Sequence, residues 1–204
     1  MELSIQSISR GIVICAVLTS VSACNSSNSF QFPEPNVAAF DDRVDTAIDL
    51  SATANGSDYT LEADLPTTGS ANYEGYIALV DANQTAAGNG EIPLVVGDLH
   101  VDVNFGSNDT SSRADNFIDE NGEYYDGSLR GSGEVMVLGL DGVTRGELGG
   151  TLRDASGGTI SYDLVASGDF LGPNGELLDV GYIGEASVGS QTIDVSGRGV
   201  AELQ

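Results

Sequence analysis

The chain has 204 residues, 40% of them apolar, with 27 glycines, no tryptophan, and a formal net charge of −24 from 31 acidic and 7 basic residues. The apolar share excludes global disorder, and the length suits one domain with a tail, since domains mostly run about 100–200 residues. All seven basic residues are arginine, and a surface this acidic repels nucleic acid and anionic lipid, both of which require basic contacts, while suiting a salty medium, cations or a basic partner.

The first predicted element is an export signal over residues 1–23. Arg10 supplies a short positive region, residues 11–21 form an apolar run, and small residues follow. The run is too short to cross a bilayer comfortably, which takes about 20 apolar residues. Cys24 ends it. A disulfide would need Cys15, which lies inside the apolar run. Metal ligation by one cysteine lacks partners, and a catalytic thiol would need a placed histidine, of which the chain has one, His100. Val21-Ser22-Ala23-Cys24 resembles the bacterial lipobox. That resemblance implies lipid on the Cys24 thiol, cleavage before it and acylation of the new amino group. Two or more acyl chains meet the requirement for stable anchoring, which one chain alone does not. Asn25 stands where a lipoprotein retained at the inner membrane typically carries Asp, so the resemblance points to the outer membrane, with the membrane as a partner through the lipid.

Residues 24–43 are polar, with Pro33 and Pro35, and read as a flexible tether. Within 44–64, two strand-like runs, 46–53 and 58–63, are split by Asn55-Gly56 and suggest either a leading hairpin or a partly ordered extension.

From about residue 65 onward the dominant period is two. Tyr73, Gly75, Ile77 and Leu79 share one face of the first strand. Val95, Leu99, Val101, Val103 and Phe105 share one face of the next, opposite Asp98, His100, Asp102 and Asn104. Short (114–119) and glycine-bent (127–140) strands follow. Alternation returns over 144–153, 159–170, 178–188 and 192–202, with Leu148, Ile160, Tyr162, Phe170, Val180, Tyr182, Ile193 and Val195 on the apolar faces. Asp141-Gly142, Ser156-Gly157-Gly158, Pro173-Asn174-Gly175 and Gly189-Ser190 read as turns. No segment carries a helical period. Eight hairpin-linked, one-sided strands must hide their edges, so the fold class is all-β, a single small eight-stranded antiparallel up-and-down barrel over 65–204; a β-sandwich is the alternative. The large inward residues, Phe105, Leu148, Ile160, Tyr162 and Phe170, predict a filled interior.

Three stretches then carry a resemblance: 65–79, with Tyr73-Glu74-Gly75; 96–105, ending in Asn104-Phe105; and 166–186, with Ser167-Gly168-Asp169-Phe170-Leu171-Gly172. In order and spacing they resemble the β-barrel domain of transferrin-binding protein B and its small lipoprotein relatives. Asn104 stands where that family commonly has Asp, and Leu171 where it often has an aromatic residue. There is one barrel and none of the receptor's second lobe. The resemblance therefore implies a fold and a surface lipoprotein role, with binding of a protein or solute as a class-level expectation.

Candidate chemistry is sparse. Asp98, His100 and Asp102 share the polar face of one strand, but same-face neighbours lie about 7 Å apart, wide for one ion, so the expected role is a solvated exterior. The acidic stretch 119–126 resembles a calcium loop without meeting its spacing: counted from Asp119, the glycine is fourth and the twelfth residue is Arg130. A turn around Asn121-Gly122 is the expectation, with Tyr124 and Tyr125 either a contact patch or packed at the rim. No Ser-His-Asp arrangement, phosphate loop or cofactor motif stands out. The expected function is a non-catalytic outer-membrane lipoprotein binding a protein or solute, with no cofactor and no nucleic acid. The alternatives are a structural envelope lipoprotein without a ligand and a lipocalin-like carrier.

Overall fold

Eight strands form where the alternation places them: β1 (Ser70–Asp81), β2 (Val95–Asn104), β3 (Asp109–Asp119), β4 (Asp126–Leu138), β5 (Asp141–Arg153), β6 (Thr159–Leu171), β7 (Leu177–Val188) and β8 (Gln191–Leu203). The computed structural model describes residues 31–83, 94–138 and 141–204; Cys24 and the expectations on 1–30 lie outside them. Each strand pairs antiparallel with the next, and β1 closes on β8 through Tyr73↔Leu203 to Asp81↔Val195. The sheet is thus a closed up-and-down barrel and not a sandwich. Closure leaves none of the eight strands with an unpaired edge.

Alternation decides what the barrel holds. Tyr73, Ile77 and Leu79 from β1 meet Leu99, Val101, Leu148, Leu164, Phe170, Leu178 and Tyr182 in one buried cluster, and all five large residues expected inside belong to it. At the hairpins, Gly157 and Gly189 adopt positive φ, as does Asn174 in the turn over Pro173–Gly175. Asp141 and Gly142 differ from the expected turn. They pair with Leu138 and Val137 as the first residues of β5, so the connection falls at 139–140, outside the described residues. β3 also begins earlier than the alternation indicated, at Asp109, because its serines and threonine carry the strand without an apolar stripe.

The expected hairpin over 44–64 does not form, and residues 37–43, expected as the end of the tether, are helical. Residues Val37–Asn55 form an α-helix, α1, in which the Asn36 side chain accepts from the Ala39 amide and the Gly56 amide closes the last turn onto Ala52 and Thr53. Asn55-Gly56 is therefore a helix end, not a hairpin turn. Alanine-rich sequence favours helix, and Phe40, Val44, Leu50 and Ala54 face the outer wall of the barrel. There Phe40 packs on Val96 and Ile118, and Ala54 on Leu171, Leu177 and Val200. Two arginines clamp α1. Arg43 donates to the Asn116 carbonyl and pairs with Asp98 at 3.6 Å. Arg198 holds Asp179 through two bonds, at 2.8 and 2.7 Å, and donates to Asn55 Oδ1 at 2.9 Å.

After α1 the chain joins the barrel. Tyr59 bridges to Leu171 and Leu61 to Asp141. The Thr60 amide donates to the Phe170 carbonyl at 2.8 Å, and the Thr60 hydroxyl to the Gly172 carbonyl at 2.6 Å. This short run fills the gap where β5 and β6 diverge, and Leu65 then enters the core cluster at that mouth.

Candidate functional site

The interior is the first place to look for a site, and it is filled. Among the described residues the void beside Tyr182, Leu178 and Val101 is about 20 Å³, room for about one water. Four phenols lie within. The Tyr73 hydroxyl donates to the Gly175 carbonyl at 2.8 Å, and burial pushes its pKa up to about 12. Burial likewise raises Tyr125, Tyr162 and Tyr182. All four therefore stay neutral. The Tyr162 hydroxyl is buried without a hydrogen-bond partner among the described residues.

The rim residues singled out by sequence serve the fold. Asp119 is buried, and its carboxylate accepts from the amides of Asn121 and Glu123, each at 2.9 Å. The same carboxylate takes the Tyr125 hydroxyl at 3.4 Å. Its oxygens thus organise the 119–126 turn, in which Gly122 has φ of 78°. The Gly122 carbonyl accepts from the Asn36 amide at the start of α1. Tyr125 is buried in the core, and Tyr124 packs with the cluster under α1. Neither is a free contact patch.

Asp98, His100 and Asp102 lie outward on β2, as their alternation requires, but they do not converge. Asp98 is engaged by Arg43 and by the Asn116 side-chain amide at 2.8 Å. His100 is half-exposed, 3.7 Å from Glu74. Among the described residues no group of three His, Cys, Asp or Glu side chains is placed to hold a metal ion.

Open space lies outside the barrel. At the mouth, a cleft of about 460 Å³ runs between Leu65, Pro66, Phe105, Asn108 and Met136. On the outer wall, a polar groove of about 520 Å³ passes over Glu74, His100, Asp102, Arg113 and Arg130. A smaller apolar crevice of about 160 Å³ separates Ala47 and Ile48 of α1 from Tyr76 and Val96. Sequence reasoning singled out His100 and Asp102 of the wall groove, but not Glu74, Arg113 or Arg130. Their common level on the wall depends on strand register, which alternation alone does not state.

No family model matches this chain, and no curated protein matches it. Solved structures do. A single-substitution variant of transferrin-binding protein B from Haemophilus parasuis Hp5 matches with a TM-score of 0.46 and 19% identity, covering 72% of this chain and 29% of that one. The intact Ap-TbpB, with N and C lobes, matches at 0.44 and 17%, over 72% and 28%. A double variant of the Haemophilus parasuis protein matches at 0.42 and 20%, over 72% and 28%. The resemblance read from sequence is to these same proteins. This chain spans less than a third of each of them.

A second acidic group on the wall has a measurable consequence. Asp169 and Asp179 face each other directly across β6 and β7. Burial raises the Asp169 carboxyl above its ordinary range, and the charges of Asp179 and Asp141 raise it further. A carboxyl raised in the fold keeps its proton to higher pH than in the unfolded chain. Its contribution to stability is therefore complete at low pH and is lost as pH rises through the folded-state value. Asp169→Asn should stabilise the barrel at pH 7 by about 0.5 kcal/mol, the scale of one opposed like-charge pair, and should give no gain at pH 3. Thermal melts at the two pH values check this; an equal gain at both would rule out the charge explanation.

Proposed function

We propose that this chain is a lipoprotein anchored in the outer membrane through Cys24, and that it presents the barrel at the cell surface to bind a protein or solute without catalysis. The anchor rests on the lipobox-like Val21-Ser22-Ala23-Cys24 that follows the apolar run. One observation carries the binding mode: large side chains pack the interior, where the void beside Tyr182 is about 20 Å³, while the outer clefts reach about 460 and 520 Å³. A lipocalin-like carrier would need its ligand inside, so binding is assigned to the mouth and the outer wall. A non-catalytic role accords with a single histidine, half-exposed and 3.7 Å from Glu74, with Arg113 across the strand pair and no serine–histidine–carboxylate arrangement built around it among the described residues.

Replacing Cys24 by serine should abolish labelling by a radioactive fatty acid and release the chain from the membrane fraction. Labelling that persists in the variant would refute the anchor. Protease added to intact cells should digest the barrel; complete protection would place it on the periplasmic face.

A further inference from the structure

Of the seven arginines, Arg10 lies in the amino-terminal segment, and Arg43 and Arg198 clamp α1. The other four all stand on β3, β4 and β5. Arg145 faces Glu134, and Arg153 faces Asp126, directly across the β4–β5 pair. Arg113 and Arg130 instead face each other across β3 and β4. Opposed like charges disfavour a strand pair, and in a chain this acidic the pairing is conspicuous. Asp115 engages Arg113. Arg130 has no ion pair among the described residues, and its partner on the far side is Gly149, which places no side chain beside it.

Further along the same level of the wall, Arg113 faces His100, and His100 faces Glu74. Asp102 lies two residues beyond His100 on β2, opposite Ser111. The polar groove therefore has an ordered charge: carboxylates over β1 and β2, guanidiniums over β3 and β4. Strands sit about 4.8 Å apart and same-face neighbours along a strand about 7 Å, so Asp102 and Arg130, two strands and two residues apart, are rooted roughly 12 Å apart. Flexible side chains can close that distance onto one small molecule. Guanidinium forks suit an oxyanion with several oxygens, and carboxylates suit an ammonium.

We infer that this groove binds a small phosphate-bearing zwitterion, with its phosphate on Arg113 and Arg130 and its ammonium toward Asp102 and Glu74. The inference rests on the reading that the barrel binds through its outer surface, and it names the ligand class for that surface. Free phosphoethanolamine and a membrane head group of the same chemistry are the two sources.

The full chain in detergent, titrated calorimetrically at constant ionic strength, tests it. Phosphoethanolamine should bind saturably and at least about tenfold more tightly than inorganic phosphate, the worth of one charge-assisted contact. Arg130→Gln should weaken binding by about tenfold while leaving the melting temperature equal or higher, because an opposed charge is removed. Asp102→Asn should erase the preference over inorganic phosphate without weakening phosphate itself. Arg145→Gln, which removes a charge opposite an acid, should leave the affinity unchanged. Binding only to vesicles displaying phosphoethanolamine head groups, with the same loss in Arg130→Gln, upholds the site and assigns the membrane source. Absence of saturable binding in both formats overturns the inference, as does equal weakening by Arg145→Gln and Arg130→Gln. Cys24 labelling and surface protease digestion are unaffected by either result, so a failed titration sinks the site and leaves the anchored barrel standing.

Discussion

Gly75→Ala should cost the barrel roughly 3 kcal/mol or more, at the top of the range for overpacking, although only a methyl group is added. Gly75 lies at the β1–β8 seam, opposite Leu99 on one side and Ala201 on the other. A Cβ there would overlap the Val200 carbonyl oxygen and crowd the Ala201 Cα at 2.6 Å. Both are backbone atoms, so no rotamer change relieves the contact; β8 itself must move, and β8 is the strand that closes the barrel. Gly131 on β4 meets the Glu147 carbonyl in the same way. These are places where the curved wall brings neighbouring backbones together, the use of strand glycine that a small barrel requires. Gly181 on β7 is the control. It is exposed, and its nearest foreign atom would be 3.7 Å from an added Cβ. Gly181→Ala should be neutral, or stabilising by about 0.4–1 kcal/mol through the unfolded chain. Urea midpoints at unchanged slope measure both. If Gly75→Ala matched Gly181→Ala, close approach of backbones would not be what that glycine provides.

How much of this was legible in sequence follows from which forces act locally. Alternation at Tyr73, Ile77 and Leu79, or at Leu99, Val101 and Val103, reports the two faces of a strand directly, and these residues are in the core. Eight such segments with no covered edge leave closure as the natural outcome. The helix was hidden because 46–53 alternates for a few residues: Ile48 and Leu50 stand among Asp49 and Ser51. Over the longer span the set Phe40, Val44, Ala47, Ser51 and Ala54 follows the helical period, but much of it is small, so the apolar stripe is weak. What holds α1 is tertiary, namely the arginine clamps and the wall beneath. A signal was present on that wall. Tyr76, Ala78, Val96 and Val200 are apolar on what should be the solvent face, which requires a cover. The charge order of the outer groove was illegible for a different reason. It joins residues 74, 102, 113 and 130, whose level is fixed only by the register of three strand pairs.

Phe170→Ala should remove about 3–5 kcal/mol, the range for truncating a buried aromatic, and lower the melting temperature by roughly 10 °C for a domain of this size. Phe170 is fully buried, with ring centroids 5.9 Å from Phe105 and 6.1 Å from Tyr73. Such pairs add about 0.5–1.5 kcal/mol beyond burial. The position also couples core to mouth, because the Phe170 carbonyl accepts the Thr60 amide and Gly142 and Gly175 pack near both its ring and Leu65. Truncation should therefore loosen the 57–65 run as well as open a void, and hydrogen exchange at Thr60 should accelerate. Phe170→Leu, which keeps most of the volume, should cost less than about 1.5 kcal/mol. The variant also probes function. Phe170 is fully buried in the parent's core cluster, and the void beside Tyr182 holds about one water, so an apolar probe such as benzene should bind to Phe170→Ala and not to the parent. Binding of the probe inside the parent barrel would reverse the assignment of ligands to the outer surface. A loss below about 1 kcal/mol in Phe170→Ala, well under the truncation range, would mean the core re-closes and the ring is not its centre.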